Sequence, residues 1–98
     1  MRFTQIIEFS TNRIDDLNAF FDEWIAASEG ERIPHRAVLH ADRDKDGVYV
    51  LTVEFSSHEQ GMANSNNPRT RQFASFLGGI SDGERIFHNL DVLREENL

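Results

Sequence analysis

Two side chains in the middle of the sequence can move a proton, His35 and Tyr49. His35 stands at the start of an apolar, alternating segment, where a partly buried imidazole can act as an acid, a base or a hydrogen-bond donor near neutral pH. Tyr49 lies in the next such segment and would add a hydroxyl group to the same apolar face. We therefore predict that His35 transfers protons and that Tyr49 assists it. The alternative is a histidine at a strand end that bonds only to the backbone.

A cluster of asparagines interrupts a helical pattern between residues 64 and 68. Asn67 is a good N-cap and Pro68 a good first residue for the helix that follows, so the helix break alone explains these two. It does not explain Asn64 and Asn66, whose amides supply both donors and acceptors, and we predict that they orient a carbonyl or phenol group of a ligand. Arg71, near the same helix start, could hold a carboxylate or a phosphate, or be a solvated surface charge.

Apolar side chains at helical and strand spacing could form the walls of a pocket. Phe21 and Trp24 lie on the first helical pattern, Phe73 lies on the second, and Leu51 lies on a strand. The same spacing is that of an ordinary core, which is the alternative interpretation. Together with the polar groups above, this set predicts a ligand-binding site between helices and sheet.

Several classes of chemistry lack the residues that they need. There is no cysteine, which excludes thiolate catalysis, disulfides and cysteine-ligated metals. The four histidines are too scattered for a zinc site. The segment Asp42–Gly47 begins like a calcium-binding loop but has Val53 where a bidentate glutamate is required, so we predict a hairpin tip. No phosphate-binding or dinucleotide-binding motif is present, and we expect neither a metal nor a cofactor.

The elements that must position these groups begin with a strand and a helix. Residues 3–9 alternate in polarity as a strand does. A helix is predicted to follow, from an N-cap at Asn12 to Gly30. A second helix begins with a capping box at Ser57 and is broken at Asn64–Pro68.

Two further strands, Ile33–Asp42 and Val48–Phe55, are predicted to form a hairpin with a loop of about five residues. A register with Leu39 opposite Leu51 keeps the apolar side chains on one face, whereas a slip of one residue would mix the two faces. Ile86–Leu93 is predicted to be the last strand, beside the first. The order β-α-β-β-α-β predicts an α+β, ferredoxin-like sandwich with a four-stranded antiparallel sheet.

Size and charge narrow the possible partners. The chain has 98 residues, enough for a single domain spanning residues 1–98. A net charge of −7 with scattered basic residues argues against nucleic acid and anionic membranes as partners. No apolar run approaches the roughly 18 residues that span a bilayer, and the first residues lack a signal-peptide pattern, so we expect a cytoplasmic protein.

The element order, the compact hairpin and the broken helix Ser57–Pro68, followed by Phe73, resemble those of the dimeric α/β-barrel superfamily, in particular its antibiotic-biosynthesis-monooxygenase-like members. The resemblance implies a homodimer whose two sheets pack face to face, with a pocket in each subunit between sheet and helices. Members include cofactor-independent oxygenases, haem-degrading enzymes, cyclases and isomerases. Where haem-degrading members have an asparagine on the first strand, this chain has Gln5. Where oxygenases bring a Trp or His from the broken helix, it has Asn64 and Asn66.

A physical argument for pairing of two copies stands beside the resemblance. A sheet covered by helices on one face leaves its other face open to water, and apolar side chains there normally mark an interface. On that face we expect Val38, Val50 and either Ile6 or the set Phe3, Ile7 and Phe9.

Two functions are compatible with these patterns, and a third possibility is a stress-associated or orphan protein with a filled core and no pocket. The first is a small-molecule enzyme of the monooxygenase, cyclase or isomerase type, acting on a hydrophobic or aromatic substrate in a pocket between sheet and helices. The second is a non-catalytic dimeric module that binds a ligand or a protein partner.

Overall fold

The computed structural model describes all 98 residues, Met1–Leu98. The elements in chain order are β1 (Phe3–Ser10), α1 (Ile14–Ala27), β2 (Arg36–Ala41), β3 (Val48–Phe55), α2 (His58–Asn64), α3 (Pro68–Ile80) and β4 (Ile86–Asp91). The four strands form one antiparallel sheet in the order β2-β3-β1-β4. The predicted ferredoxin-like α+β fold is confirmed, with the second helix divided into α2 and α3.

The hairpin of β2 and β3 has the predicted register. Leu39 lies opposite Leu51 in the ladder. The N–H of Asp42 also donates to the carbonyl of Val48 at 2.9 Å, which leaves a loop of five residues, 43–47. Gly47 ends this loop with a φ of +75°, a left-handed conformation that favours glycine.

The register assigns each strand residue to one face of the sheet. Phe3, Ile7 and Phe9 are buried against the helices, so Ile6 is the member of β1 that lies on the open face. Beside it across the ladders lie residues of β2 and β3 that include Val38 and Val50. Strand β4 is exposed along its whole length.

The start of α1 differs from the prediction. The N-cap is Arg13, not Asn12, and no side chain of the cap residue bonds to the helix. The hydroxyl oxygen of Thr11 accepts the N–H of Arg13 at 3.0 Å instead, and the hydroxyl donates to the carbonyl of Ile80 at 2.6 Å. Thr11 can do this because its own N–H bonds to the carbonyl of Gly47 at 2.9 Å, which holds it buried.

Three other predicted elements were too long. Helix α1 ends at Ala27, and Gly30 follows in a left-handed turn with a φ of +79°. Strand β2 begins at Arg36 rather than Ile33, since Pro34 has no N–H for a ladder. Strand β4 ends at Asp91 rather than Leu93.

Local signals fix the break between α2 and α3. The hydroxyl of Ser57 accepts the N–H of Gln60 at 3.1 Å, as predicted for the capping box. The side chain of Asn67 accepts the N–H of Arg69 at 2.8 Å, and Pro68 is the first residue of α3. The helix then continues through its two consecutive glycines to Ile80.

The long helices α1 and α3 pack on each other through aromatic side chains. Phe20 stacks on Phe76 with ring centroids 4.1 Å apart, and Phe21 meets the edge of Phe73 at 4.8 Å. A buried core cluster joins these helices to the sheet around Leu17 and Leu77. Elsewhere a space remains between helices and sheet. None of the helices is both long and apolar enough to cross a bilayer.

Candidate functional site

The space between the helix layer and the sheet is a cavity of approximately 530 Å³ that opens to solvent. Its floor is formed by inward-facing residues of all four strands, so the cavity spans the sheet from the β2 edge to the β4 edge. Its roof is formed by α1 and α3, and one side is closed by the connection between α1 and β2. The lining is mostly apolar, as is usual for sites that bind small organic molecules.

Six of the nine residues predicted for a site line this cavity. They are Phe21, Trp24, His35, Leu51, Asn64 and Phe73. The structure thus brings together the aromatic walls, one asparagine and the histidine. Their roles toward a ligand stay predictions.

The other three predicted residues lie outside the cavity. Tyr49 stacks on Phe9 with centroids 5.8 Å apart. Asn66 is exposed, with its backbone N–H on the carbonyl of Ala63. Arg71 is also exposed, with its Nε 3.5 Å from the carbonyl of Ser65, at the end of α2.

The expected pairing of His35 with Tyr49 is wrong because the two are at opposite ends of the sheet. The N–H of His35 bonds to the carbonyl of Glu54 at 3.0 Å. Tyr49 is five residues away from Glu54 on the same strand, about 17 Å at the usual strand rise. Strand side chains stand roughly perpendicular to the sheet, so the two cannot reach one reacting atom. The two residues share a face, as predicted, but they stand at different positions along it.

His35 is also more open to solvent than expected. The sequence suggested a partly buried imidazole inside a strand, whereas the residue is exposed and stands just before β2. The imidazole makes no hydrogen bond within the chain, and it lies at the rim of the cavity. It can therefore exchange protons with water and meet the outer part of a bound ligand.

Asn64 is the polar group most enclosed by the cavity wall. It is 7% exposed, and its Oδ1 accepts the hydroxyl of Thr70 at 2.6 Å. Its Nδ2 makes no hydrogen bond within the chain, although no fully buried polar side-chain atom lacks a partner. Asn64 lines the cavity, so its amide N–H group is a donor on the cavity wall that no group of the chain uses. The bond from Thr70 fixes the orientation of that donor.

Trp24 contributes only its ring to the cavity. Its indole N–H donates to the carbonyl of Arg69 at 2.7 Å, so the one polar atom of the side chain is occupied. Phe21 and Phe73 meet the indole edge-on, at 6.0 and 5.3 Å between centroids. These three rings form an aromatic wall that can contact a flat ligand without a polar requirement.

Several polar residues of the lining were not among the predicted site residues: Gln5, Asn18, Asp22, Thr70 and Arg85. The sequence contains an indication that Gln5 lines the cavity, since it is the one polar residue among the inward-facing residues of β1. Asn18 and Asp22 are four apart on α1, next to Phe21, which also places them on one side of the helix.

No sequence pattern indicates that Arg85 lines the cavity, because the pairing of β4 with β1 brings it there. Its Nη1 donates to the carbonyl of Ala74 at 3.2 Å, and its guanidinium lies 5.6 Å from the ring centroid of Phe87. It forms no ion pair with a carboxylate.

No three His, Asp or Glu side chains converge as a metal site would require. At the hairpin tip, the N–H of Asp44 bonds to Oδ1 of Asp42 at 2.9 Å, a local turn contact. The predicted interpretation of Asp42–Gly47 as a hairpin tip between two strands is confirmed.

Comparison with solved structures identifies the fold as that of antibiotic biosynthesis monooxygenase-like proteins. SnoaB of Streptomyces nogalater, a cofactor-independent oxygenase solved as a variant with one asparagine replaced by alanine, has a TM-score of 0.77 and 18% identity, over 96% of this chain and 95% of SnoaB. Rv0793 of Mycobacterium tuberculosis has a TM-score of 0.76 and 18% identity, over 99% and 100% of the two chains.

A further structure, described as an antibiotic biosynthesis monooxygenase, has a TM-score of 0.72 and 12% identity, over 94% of this chain and 99% of its own. The predicted resemblance is thus confirmed at the level of the fold. No protein-family model matches the sequence, and no curated protein matches it.

Proposed function

We propose that the protein is a small-molecule enzyme of the monooxygenase, cyclase or isomerase type, acting on a hydrophobic or aromatic substrate in the cavity between sheet and helices. The observation that carries the proposal is the unpaired amide N–H group of Asn64 in a mostly apolar space of approximately 530 Å³. Cavities of about 300–1,000 Å³ are the usual size for organic ligands. The fold that the chain shares with SnoaB supports chemistry of this kind.

In the proposed reaction the aromatic wall holds the flat part of the substrate. Asn64 donates a hydrogen bond to a carbonyl or phenol oxygen of the substrate. This bond strengthens when negative charge develops on that oxygen, as it does when a proton is lost from a neighbouring carbon or from the phenol. His35, at the rim, takes or returns the proton for substrates that extend that far. We propose no metal and no cofactor for these steps.

We further propose that the working unit is a homodimer. Ile6, Val38 and Val50 share the uncovered face of the sheet, and a second copy of the chain would shelter them from water. An ion pair of Arg36 with Glu54 (3.4 Å) and a contact between Nε2 of His88 and a carboxylate oxygen of Glu8 (3.2 Å) also lie on this face. The cytoplasmic location expected from the sequence stays a prediction.

The experiment that tests the function compares Asn64→Ala with Asn66→Ala. Each variant is incubated with a panel of aromatic ketones, quinones and phenols, and substrate loss is followed by chromatography. Binding is measured in parallel by thermal shift, since a ligand of the native state raises the melting temperature. We expect Asn64→Ala to lose roughly tenfold or more in kcat/KM, and Asn66→Ala to match the wild type. Equal activity of both variants would contradict the proposed role of Asn64.

The alternative, a non-catalytic dimeric module that binds a ligand or a protein partner, is favoured by one observation. The histidine at the cavity is exposed at the rim rather than enclosed with the substrate. This function predicts that compounds from the panel raise the melting temperature and are recovered unchanged, with Asn64→Ala lowering affinity only. Consumption of any such compound by the wild type would favour the enzyme.

A further inference from the structure

The connection between α1 and β2, residues 29–35, closes one side of the cavity, and we refer to it as the strap. Three of its residues, Arg32, Pro34 and His35, line the cavity. The strap is fixed firmly at both ends. Ser28 before it is fully buried and its hydroxyl donates to the carbonyl of Trp24 at 2.6 Å. At the other end, the N–H of His35 is bonded to the sheet.

Between these ends the strap is held to α3 by polar contacts of one residue. The side chain of Asn67 donates from Nδ2 to the backbone carbonyl of Glu31 at 2.7 Å. The Nε of Arg69 donates to Oε2 of Glu31 at 2.5 Å. We refer to these two contacts as the latch. Because the Glu31 side chain is 55% exposed, the latch is in contact with water and is weak.

The rest of the strap is held to the end of α1, where Nη1 of Arg32 donates to the carbonyl of Ile25 at 2.5 Å and to the hydroxyl oxygen of Ser28 at 3.2 Å. Residues 29–32 are all exposed, so the strap buries little apolar surface there. Segments with few buried apolar contacts and exposed hydrogen bonds open at low free energy. Gly30 has a φ of +79° and lies inside a turn that the N–H of Glu31 closes on the carbonyl of Ser28 at 2.9 Å, so opening of the strap breaks this bond and changes the dihedral angles there. Such positions absorb the dihedral changes of a hinge.

We propose that the strap is a gate that widens the access to the already open cavity, latched by Glu31 to Asn67 and Arg69 and hinged near Gly30. The gate matters only if a ligand enters the cavity, so this inference rests on the proposed function. The latch lies on the outer side of the strap and none of its three residues lines the cavity. It is therefore the same with the cavity empty or filled. Breaking it speeds the entry and the exit of a ligand by the same factor and leaves the affinity unchanged.

Two variants break the latch in different ways. Glu31→Ala removes the carboxylate that Arg69 holds and deletes a negative charge. Asn67→Asp keeps an oxygen to cap α3 but loses the donor to the Glu31 carbonyl, and it adds a negative charge. Glu96→Ala is the matched control, because it removes an exposed partner of Arg94 that is not part of the strap.

The first measurement needs no ligand. Trp24 is the single tryptophan and lines the cavity, so quenching of its fluorescence by acrylamide reports access to the cavity. We expect the quenching rate constant to at least double in Glu31→Ala and in Asn67→Asp, and to stay at the wild-type value in Glu96→Ala. If circular dichroism shows an intact fold and the quenching rate constant is unchanged in both latch variants, the proposal that the strap is a gate is contradicted.

The second measurement follows a probe by stopped-flow, with anthraquinone-2-sulfonate quenching Trp24 as it binds. We expect association and dissociation to accelerate together, roughly three- to tenfold, in both latch variants, with Kd within twofold of the wild type. Since the two variants change the charge in opposite directions, opposite changes in the association rate would indicate an electrostatic effect and overturn the gate. If acrylamide quenching rises as expected while no aromatic compound binds any form, the proposed function fails and the gate stands.

Discussion

Replacing Gly61 by alanine tests the packing that places Asn64 at the cavity. Gly61 is buried in α2, and a Cβ added to it would lie 2.5 and 2.6 Å from Cδ2 and Cε2 of the Phe3 ring. Carbon atoms prefer separations of about 3.5–4.0 Å, so α2 or the ring must move by about 1 Å. The ring is not free to turn away. Phe3 is 3% exposed and packs against Phe55 and the edge of His58.

Two opposing effects decide the size of the change. Alanine is better than glycine inside a helix by about 1 kcal/mol. Overpacking of a close contact costs about 1–3 kcal/mol. We expect Gly61→Ala to be net destabilising, by about 1 kcal/mol, which for a chain of this size lowers the Tm by about 4–8 °C. Gly79→Ala is the matched control, because Gly79 is exposed in α3 with no atom within 4 Å of a Cβ. The free energy of unfolding of Gly79→Ala should be higher than that of the wild type by about 0.5–1 kcal/mol.

The assay is urea denaturation followed by circular dichroism. A double-mutant cycle with Phe3→Leu isolates the contact, because the smaller side chain relieves the clash. We expect the double variant to be less destabilised than the sum of the two single changes, by about 1 kcal/mol or more. Since Asn64 lies one turn beyond Gly61, Gly61→Ala should also weaken ligand binding, and the Phe3→Leu change should restore part of it. A Gly61→Ala protein as stable as Gly79→Ala would refute the reasoning.

Three further expectations follow from contacts outside the latch. Thr11→Val should cost about 1–3 kcal/mol in urea denaturation, because the buried carbonyl of Ile80 loses its donor, whereas Thr11→Ser should cost less. Val50→Asp places a charge on the uncovered sheet face and should halve the mass measured by analytical ultracentrifugation without changing the circular dichroism; a wild type already monomeric at micromolar concentration would contradict the dimer. Trp24→Phe removes the donor to the carbonyl of Arg69 and should lower the free energy of unfolding by about 1 kcal/mol. Equilibrium dialysis of anthraquinone-2-sulfonate should give a Kd within about threefold of the wild-type value.

The parts of the fold that could be predicted from the sequence are those that depend on residues close together in the chain. The break between α2 and α3 is specified by neighbouring residues, Ser57 at one start and Asn67 with Pro68 at the other. The hairpin register followed from the alternation of side chains between the two faces of a strand, because only one alignment separates apolar from polar side chains. The existence of an apolar site between helices and sheet followed from the same face assignment.

The errors came from contacts between distant parts of the chain. Asn12 is a sound local N-cap candidate, but Thr11 supplies the oxygen because the hairpin tip holds it from one side. The alternation of side chains places Tyr49 on the face of the sheet that packs against the helices. It does not show where along that face Tyr49 lies. Arg85 enters the site only through the pairing of β4 with β1. No spacing within the sequence encodes that proximity.

The pairing of β1 with β4 also has a consequence for how the protein is made. Ile6 lies opposite His88, so the ladder joins residues that are far apart in the chain, and such contacts form late in folding. As the chain leaves the ribosome, β1 can pair with β3 on one side while its other edge stays open. An unpaired inner strand can pair with other nascent chains and aggregate. The interval before residue 86 emerges is therefore when the open edge of β1 is most exposed to such pairing.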